Sequence, residues 1–374
     1  MEMRTDKRLL HRKISLSLLL KHPVTQDLLI PVLAVVLSFA VGAIFIVSVG
    51  QNPAEVYSIL LSQTLGSSYG IGQLLFKSTP LIFTGLSVAI CFRAGLFNIG
   101  AEGQLQIGAF VTALVGMKTF GVPSYLEIPL LILSGMVGGG VWGFIPGYLK
   151  AKVGAHEVIN TIMLNFIAAA LISYFVTNVY NVPATVHTPP ISPSGTLPRF
   201  DKFFPGFEGS PVNFSMLVAL IAAVFVWWLV GRTRFGYEMR AVGFNPKAAE
   251  YGGISVSKSI ILSMTLGGAI AGLVGTNFVM GYKYYFEEGF SSGTGFMGIA
   301  VALLGLNNPF GVILAALLFG MLDYGGLVIN TMVPKELVSI LQAIVIIFVI
   351  SSNKIFRGIV MNYLKKRKLV ASEE

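Results

Sequence analysis

The chain has 374 residues, of which 54% are hydrophobic and 11% charged, against about a quarter charged in an ordinary soluble domain. With a mean hydropathy of +0.77, it carries more apolar surface than a water-soluble core can bury, and a lipid bilayer is its natural solvent. A single Cys excludes a disulfide framework or thiolate metal site, and His11, His22, His156 and His187 form no ligand cluster. The net charge of +9 does not point to nucleic acid, because the Lys and Arg residues sit in short segments between apolar runs rather than on one basic module. Positive charge retained on the inner side of a membrane explains it better. No cofactor and no metal are expected.

The basic region from Arg4 to Lys13 precedes a 22-residue run without charge, Leu28 to Val49. That run is longer than a signal-peptide core and reads as a retained first span. Further charge-free stretches follow at 78–92, 103–117, 128–149, 158–198, 209–231, 259–282, 289–322 and 337–353. The stretch 158–198 holds a span to about residue 178, after which Pro183, Pro189, Pro190, Pro193 and Pro198 impose a loop. Asn307-Asn308-Pro309 divides 289–322 into two segments. The expected fold is all-α, a polytopic transmembrane bundle of about ten spans. With both termini inside, 20 of the 26 Lys and Arg fall on the cytoplasmic side, while Lys77, Lys118, Arg199, Lys202, Lys283 and Lys335 fall opposite. The organisation is then a cytoplasmic segment 1–27, a membrane domain 28–353 and a basic cytoplasmic tail 354–374. The loop 179–212 is extracytoplasmic and 231–258 cytoplasmic.

No G-x-x-x-x-G-K-[ST] phosphate loop occurs, so ATP is not hydrolysed by this chain. Ion coupling is poorly supplied, since only Glu102, Asp323 and Arg93 lie at membrane depth. In the loop from Arg232 to Gly253, Asn245 suits a helix cap, Pro246 its first turn and Gly252 a left-handed stop, which encodes a helix of under two turns. A helix so short must dock on something. It either tucks against its own bundle or couples to a separate ATPase subunit.

Four blocks carry a resemblance to a known family: Gly95–Gln104 (GLFNIGAEGQ), Ala155–Asn165 (AHEVINTIMLN), Arg240–Ala249 (RAVGFNPKAA) and Gly298–Gly311 (GIAVALLGLNNPFG). The chain resembles the permease subunits of ribose/nucleoside-class ABC importers, and most of all the nucleoside permeases that work with a basic-membrane-protein-type lipoprotein. His156 and the pair Phe296-Met297 depart from that pattern, where Asn and an Asp are common. The resemblance implies a type II importer fold with an internal repeat, in a bacterial inner or plasma membrane. It also implies a cytoplasmic ATPase partner that binds the ATP, a second related permease or a copy of itself, and an extracytoplasmic substrate-binding lipoprotein. Glu238, Arg240, Gly243, Asn245, Ala248 and Ala249 would couple to the ATPase. The solute would be a nucleoside, with ribose-like sugars or an ion-coupled carrier as alternatives.

The first block stands out on its residues alone, because polar groups among Gly95, Gly100, Gly103 and Gly108 interrupt the membrane at a depth where irregular backbone needs a cavity or protein around it. Phe97, Asn98, Glu102 and Gln104, with Phe296 from the corresponding break in the second half, are the expected pathway residues. Glu102 also reads as a structural carboxylate bonding neighbouring amides, and Asp323 has the same two readings. Gly135, Gly139, Gly143 and Gly147 line one helix face, as do Gly268 and Gly272, which marks packing seams. Gly289–Gly293 fits G-x-S-x-G around Ser291 but lacks a strand-turn-helix context. His156-Glu157 lacks the second ligand of H-E-x-x-H, since Asn160 takes its place. No enzyme is expected.

Overall fold

The computed structural model describes residues 23–334 and 336–348. The tail 354–374 and most of the segment 1–27 lie outside them. The chain divides into two compact units, Tyr57–Asn330 and the terminal stretches 1–56 with 331–374. Among the described residues of the terminal unit are α1 (Pro23–Ser48) and α13 (Glu336–Phe348), and Ser38 bonds back to the Ala34 carbonyl within α1. Helix α2 (Pro53–Leu65) starts in one unit and continues in the other.

The larger unit is helical throughout, with α3 (Ser68–Arg93), α4 (Ala101–Gly116), α5 (Ser124–Tyr148) and α6 (Glu157–Asn178) in its first half. After the loop come α7 (Ser215–Arg232), α8 (Arg234–Phe244), α9 (Pro246–Tyr251), α10 (Val256–Gly272), α11 (Thr294–Leu304) and α12 (Pro309–Val328). Helix α3 is the axis, buried from Ser78 to Cys91 without a break and flanked by α7, α10, α11 and α12. It starts ten residues before the expected span, capped by Ser67, whose side chain accepts from Gly70 N. Lys77, expected in an outer turn, is therefore inside the helix.

Six described helices are long and apolar enough to cross a membrane, or up to seven if Val32–Ser48 and Pro53–Leu65 form one broken span. Among the described residues, each stretch expected to span holds a helix, yet α4 and α11 have only 16 and 11 residues. At 1.5 Å per residue these reach about 24 and 16 Å, short of the roughly 30 Å of hydrocarbon. The cause is backbone broken by glycine and polar residues at the N-terminus of each.

The glycine seams meet one another. Gly139 and Gly143 of α5 face Gly268 of α10, Gly135 faces Gly272, and Gly108 of α4 presses on the same Gly272. A Cβ at Gly139 would overlap the Gly268 carbonyl. In lipid no hydrophobic drive pulls helices together, so this close backbone approach supplies the dispersion contact that holds α5 to α10.

The proline-rich segment 179–212 has no regular helix beyond three short 3₁₀ turns. Its backbone is tied down by Thr188 N to Phe286 O, Ile191 N to Tyr284 O and Leu197 N to Met280 O. Ile191 and Leu197 join Phe110, Leu131, Ile172, Met280 and Phe286 in an apolar cluster.

Candidate functional site

Between α3 and α4 the chain turns at Gly95, which takes a left-handed φ of +72°. Asn98 Oδ1 accepts from Gly100 N, and its amide pairs reciprocally with Gln104, Nδ2 to Oε1 at 2.9 Å and Nε2 to Oδ1 at 3.2 Å. Both amides are almost fully buried, so their bonding capacity is spent inside the chain. Asn165 of α6 secures the same break, accepting from Gly103 N at 2.8 Å and donating to Ile99 O at 3.0 Å. Sequence reasoning quoted Asn165 only as the end of a block.

Glu102 is buried, with both carboxylate oxygens bonded. Its Oε2 accepts from Gly295 N of α11 at 2.7 Å, and its Oε1 accepts from Ser291 Oγ and from Gln106 Nε2. Gly295 lies so close that a Cβ there would overlap the Glu102 backbone. Two short helices, one from each half of the unit, thus touch N-terminus to N-terminus, and one carboxylate sits between their positive ends. This is the bonded-carboxylate reading of Glu102. Ser291, expected in an outside loop, is buried as part of the joint.

Phe97 and Phe296 behave differently from these amides. Both rings are exposed, and Phe97 has its edge against Phe92 with centroids 5.2 Å apart.

The opposite end of α11 is held by a cation. Leu306 and Asn307 both turn through φ +54°, and Arg93 donates Nε and Nη2 to the Asn307 carbonyl at 3.2 and 3.1 Å. Glu102 and Arg93, nine positions apart in sequence, therefore bracket α11 with charges that complement its dipole.

The α8–α9 segment joins this arrangement at Gly243. A Cβ on Gly243 would overlap the Arg93 carbonyl, and one on Gly95 would stand 3.1 Å from Gly243 Cα. Helix α8 was not expected. It is capped by Thr233, which accepts from Gly236 N at 3.0 Å, and it buries Met239 and Val242. Glu238 pairs with Arg234 at 2.7 Å, and Arg240 lies near enough to Arg93 to repel it. Asn245 caps α9 as expected, accepting from Ala248 N at 3.1 Å. Two details differ from expectation. The left-handed stop is Gly253 at φ +80°, not Gly252 at φ −78°, because the last turn runs one residue further. Ala248 is exposed, whereas Ala249 turns inward and is buried. The outward face instead offers Phe244 and Tyr251, 90% and 95% exposed. Among the described residues, no group of three or more His, Cys, Asp or Glu side chains is placed to hold a metal ion.

Comparison with known proteins places these features. Residues 70–350 match the family described as branched-chain amino acid transport system / permease component. The chain is 42% identical to the guanosine ABC transporter permease protein NupP of Bacillus subtilis (strain 168), over 91% of this chain and 98% of the relative. It is 39% identical to the nucleoside ABC transporter permease protein NupB of Lactococcus lactis subsp. cremoris, over 87% and 91%. Identity to the glucose ABC transporter permease protein TsgB13 of Haloferax volcanii is 37%, over 86% and 87%. No solved structure matches.

Proposed function

Because the chain belongs to the permease-component family of ABC importers, we propose that it is the membrane-spanning permease subunit of an ATP-driven nucleoside importer. ATP is bound and hydrolysed by a cytoplasmic partner subunit. A second permease, related or identical, completes the pathway, and an extracytoplasmic lipoprotein delivers the solute. Counting the short helices α4, α11 and α13 as spans brings the number to about ten, in a type II arrangement. Both termini and the α8–α9 segment are then cytoplasmic, and 179–212 lies outside.

The observation that carries the coupling role is the seat of α8–α9. Its outward face presents Phe244, Ala248 and Tyr251, large apolar surface that a solvated connector has no reason to display. Its inward face rests through Gly243 on the turn that leads to Glu102. Glu238, Arg240 and Asn245 shape this element, and buried Ala249 anchors it. Docking of the ATPase at Phe244 and Tyr251 would move Gly243 against Arg93 and shift α11, biasing the bundle between inward-open and outward-open states. Phe97 and Phe296 border the pathway with exposed aromatic faces, while Asn98, Glu102 and Gln104 frame it from behind.

Phe244→Asp with Tyr251→Asp tests this reading. The permease should accumulate in the membrane but no longer copurify with its ATPase; unchanged copurification with full uptake would reduce the segment to a connector. Glucose is the second reading, favoured by the 37% identity to TsgB13. Competition of labelled guanosine uptake by excess glucose separates the two.

A further inference from the structure

Helix α3 carries a row of polar side chains on one face, Tyr69, Gln73 and Lys77, spaced four residues apart so that they lie one above another. Gln73 Nε2 donates to the Tyr69 hydroxyl at 2.8 Å. Lys77 Nζ pairs with Asp323 Oδ2 of α12 at 3.0 Å, and the two side chains are 32% and 37% exposed. Tyr324 follows Asp323 on α12.

This row is at the wrong depth to face lipid. Helix α3 has 26 residues, about 39 Å at 1.5 Å per residue, so its ends clear the hydrocarbon by only a few ångströms. Lys77 lies about 13 Å along the axis from Ser68 and about 24 Å from Arg93, within the apolar slab. A part-exposed ion pair there is costly against acyl chains and settles only beside water or protein.

We propose that Tyr69, Gln73, Lys77, Asp323 and Tyr324 form a solute-contact site on the translocation route, and that its ligand is a nucleoside. The proposal rests on the nucleoside-importer reading above. The chemistry matches the two parts of such a molecule. A carboxylate accepts from both hydroxyls of a ribose diol, an amide and an ammonium reach the edge of a base, and phenol rings offer flat apolar faces. Because Asp323 already has Lys77 as its partner, the solute exchanges one set of bonds for another and binds weakly, as a passing substrate requires. In this the site is unlike the Glu102 joint, where both carboxylate oxygens are bonded in a buried setting.

The test uses the complete importer reconstituted in vesicles, with tritiated guanosine and uridine. Asp323→Asn and Lys77→Met should each lower uptake at least tenfold with both permeases and the ATPase still copurifying. The exchange Lys77→Asp with Asp323→Lys keeps an ion pair and should not restore uptake. Recovery of uptake in the exchange variant would make the pair a helix tie and overturn the proposal, as would wild-type uptake in either single variant. Loss of the second permease from the purified complex would assign the face to a subunit contact and likewise overturn it. Should the charge variants fail to assemble, Gln73→Ala decides, because it leaves the ion pair intact: a several-fold loss of uptake sustains the site and wild-type uptake overturns it. If the unmodified importer accumulates neither nucleoside, the nucleoside reading falls, and this proposal with it.

Discussion

Two carboxylates lie at membrane depth in the larger unit, and they are held in opposite ways. Glu102 accepts three hydrogen bonds and is buried between two helix ends. Asp323 makes a single ion pair and remains more than a third exposed. A buried carboxylate with both oxygens engaged fixes geometry, whereas one with free acceptor capacity on an open face can exchange partners. Changes at Glu102 should register first as lost stability, and changes at Asp323 as lost uptake with stability kept.

The largest effect is expected at Gly295→Ala. The new methyl would overlap the Glu102 backbone, and neither chain can yield without parting α4 from α11. Overpacking of this kind costs about 1–3 kcal/mol, and more where backbone meets backbone. The variant should fail to accumulate in membranes. Glu102→Ala follows, because it strands the Gly295 N–H and the Ser291 hydroxyl in a buried site while Gln106 keeps Ser291 Oγ as its acceptor, at about 1–3 kcal/mol in all once Ser291 finds another partner. A fall in the melting midpoint of the purified complex, with Glu102→Gln falling less, is the expected result. An unshifted midpoint in Glu102→Ala together with lost uptake would remove the distinction between the two carboxylates and return Glu102 to the pathway.

Much of this was legible in the sequence and some was not, for physical reasons. Helical segments announce themselves by freedom from charge, and the glycine seams by their spacing of four. Asn245 was readable as a cap because Asn followed by Pro has a strong local meaning. Lys77 misled, since a lone charge reads as the end of a span while its partner Asp323 stands 246 positions away. Helix α8 was missed because its only signs are Thr233 and the spacing of Phe235, Met239 and Val242. The outward and inward sides of α9 cannot be told from two adjacent alanines. The joint itself depends on Ser291 and Gly295 reaching Glu102 across some 190 positions of sequence, a long-range contact that no local pattern encodes.

A smaller effect separates frame from coupling. Asn245→Ala removes the side-chain acceptor for Ala248 N and should cost about 1 kcal/mol of local helix stability. That is too little to unfold a bundle but enough to fray six residues. ATPase copurification should weaken while the melting midpoint stays within a degree or two, and Asn245→Ser should recover most of it. Equal loss of midpoint and copurification would place α9 in the frame with Glu102.

The smallest expected change is at Ser291, and it bears on what the G-x-S-x-G pattern means here. Ser291 Oγ donates to Glu102 Oε1, and Gln106 Nε2 donates to Ser291 Oγ at 3.1 Å. The hydroxyl is thus a link in a chain of bonds that ends on a carboxylate, not a nucleophile with an imidazole beside it. His187, the His nearest in sequence, bonds through Nδ1 to the Thr188 carbonyl and stacks on Tyr285. Ser291→Ala deletes one of three donors to Glu102 and leaves Gln106 able to bond the freed lone pair, so the loss should be about 1 kcal/mol or less. Combined with Gln106→Leu it should exceed the sum of the singles, because the two side chains substitute for each other at the same oxygen. A melting series of the two singles and the double measures that excess. Strict additivity would mean that Glu102 is held by Gly295 alone and that Ser291 only fills space, and labelling of Ser291 by a fluorophosphonate in the native complex would revive the nucleophile.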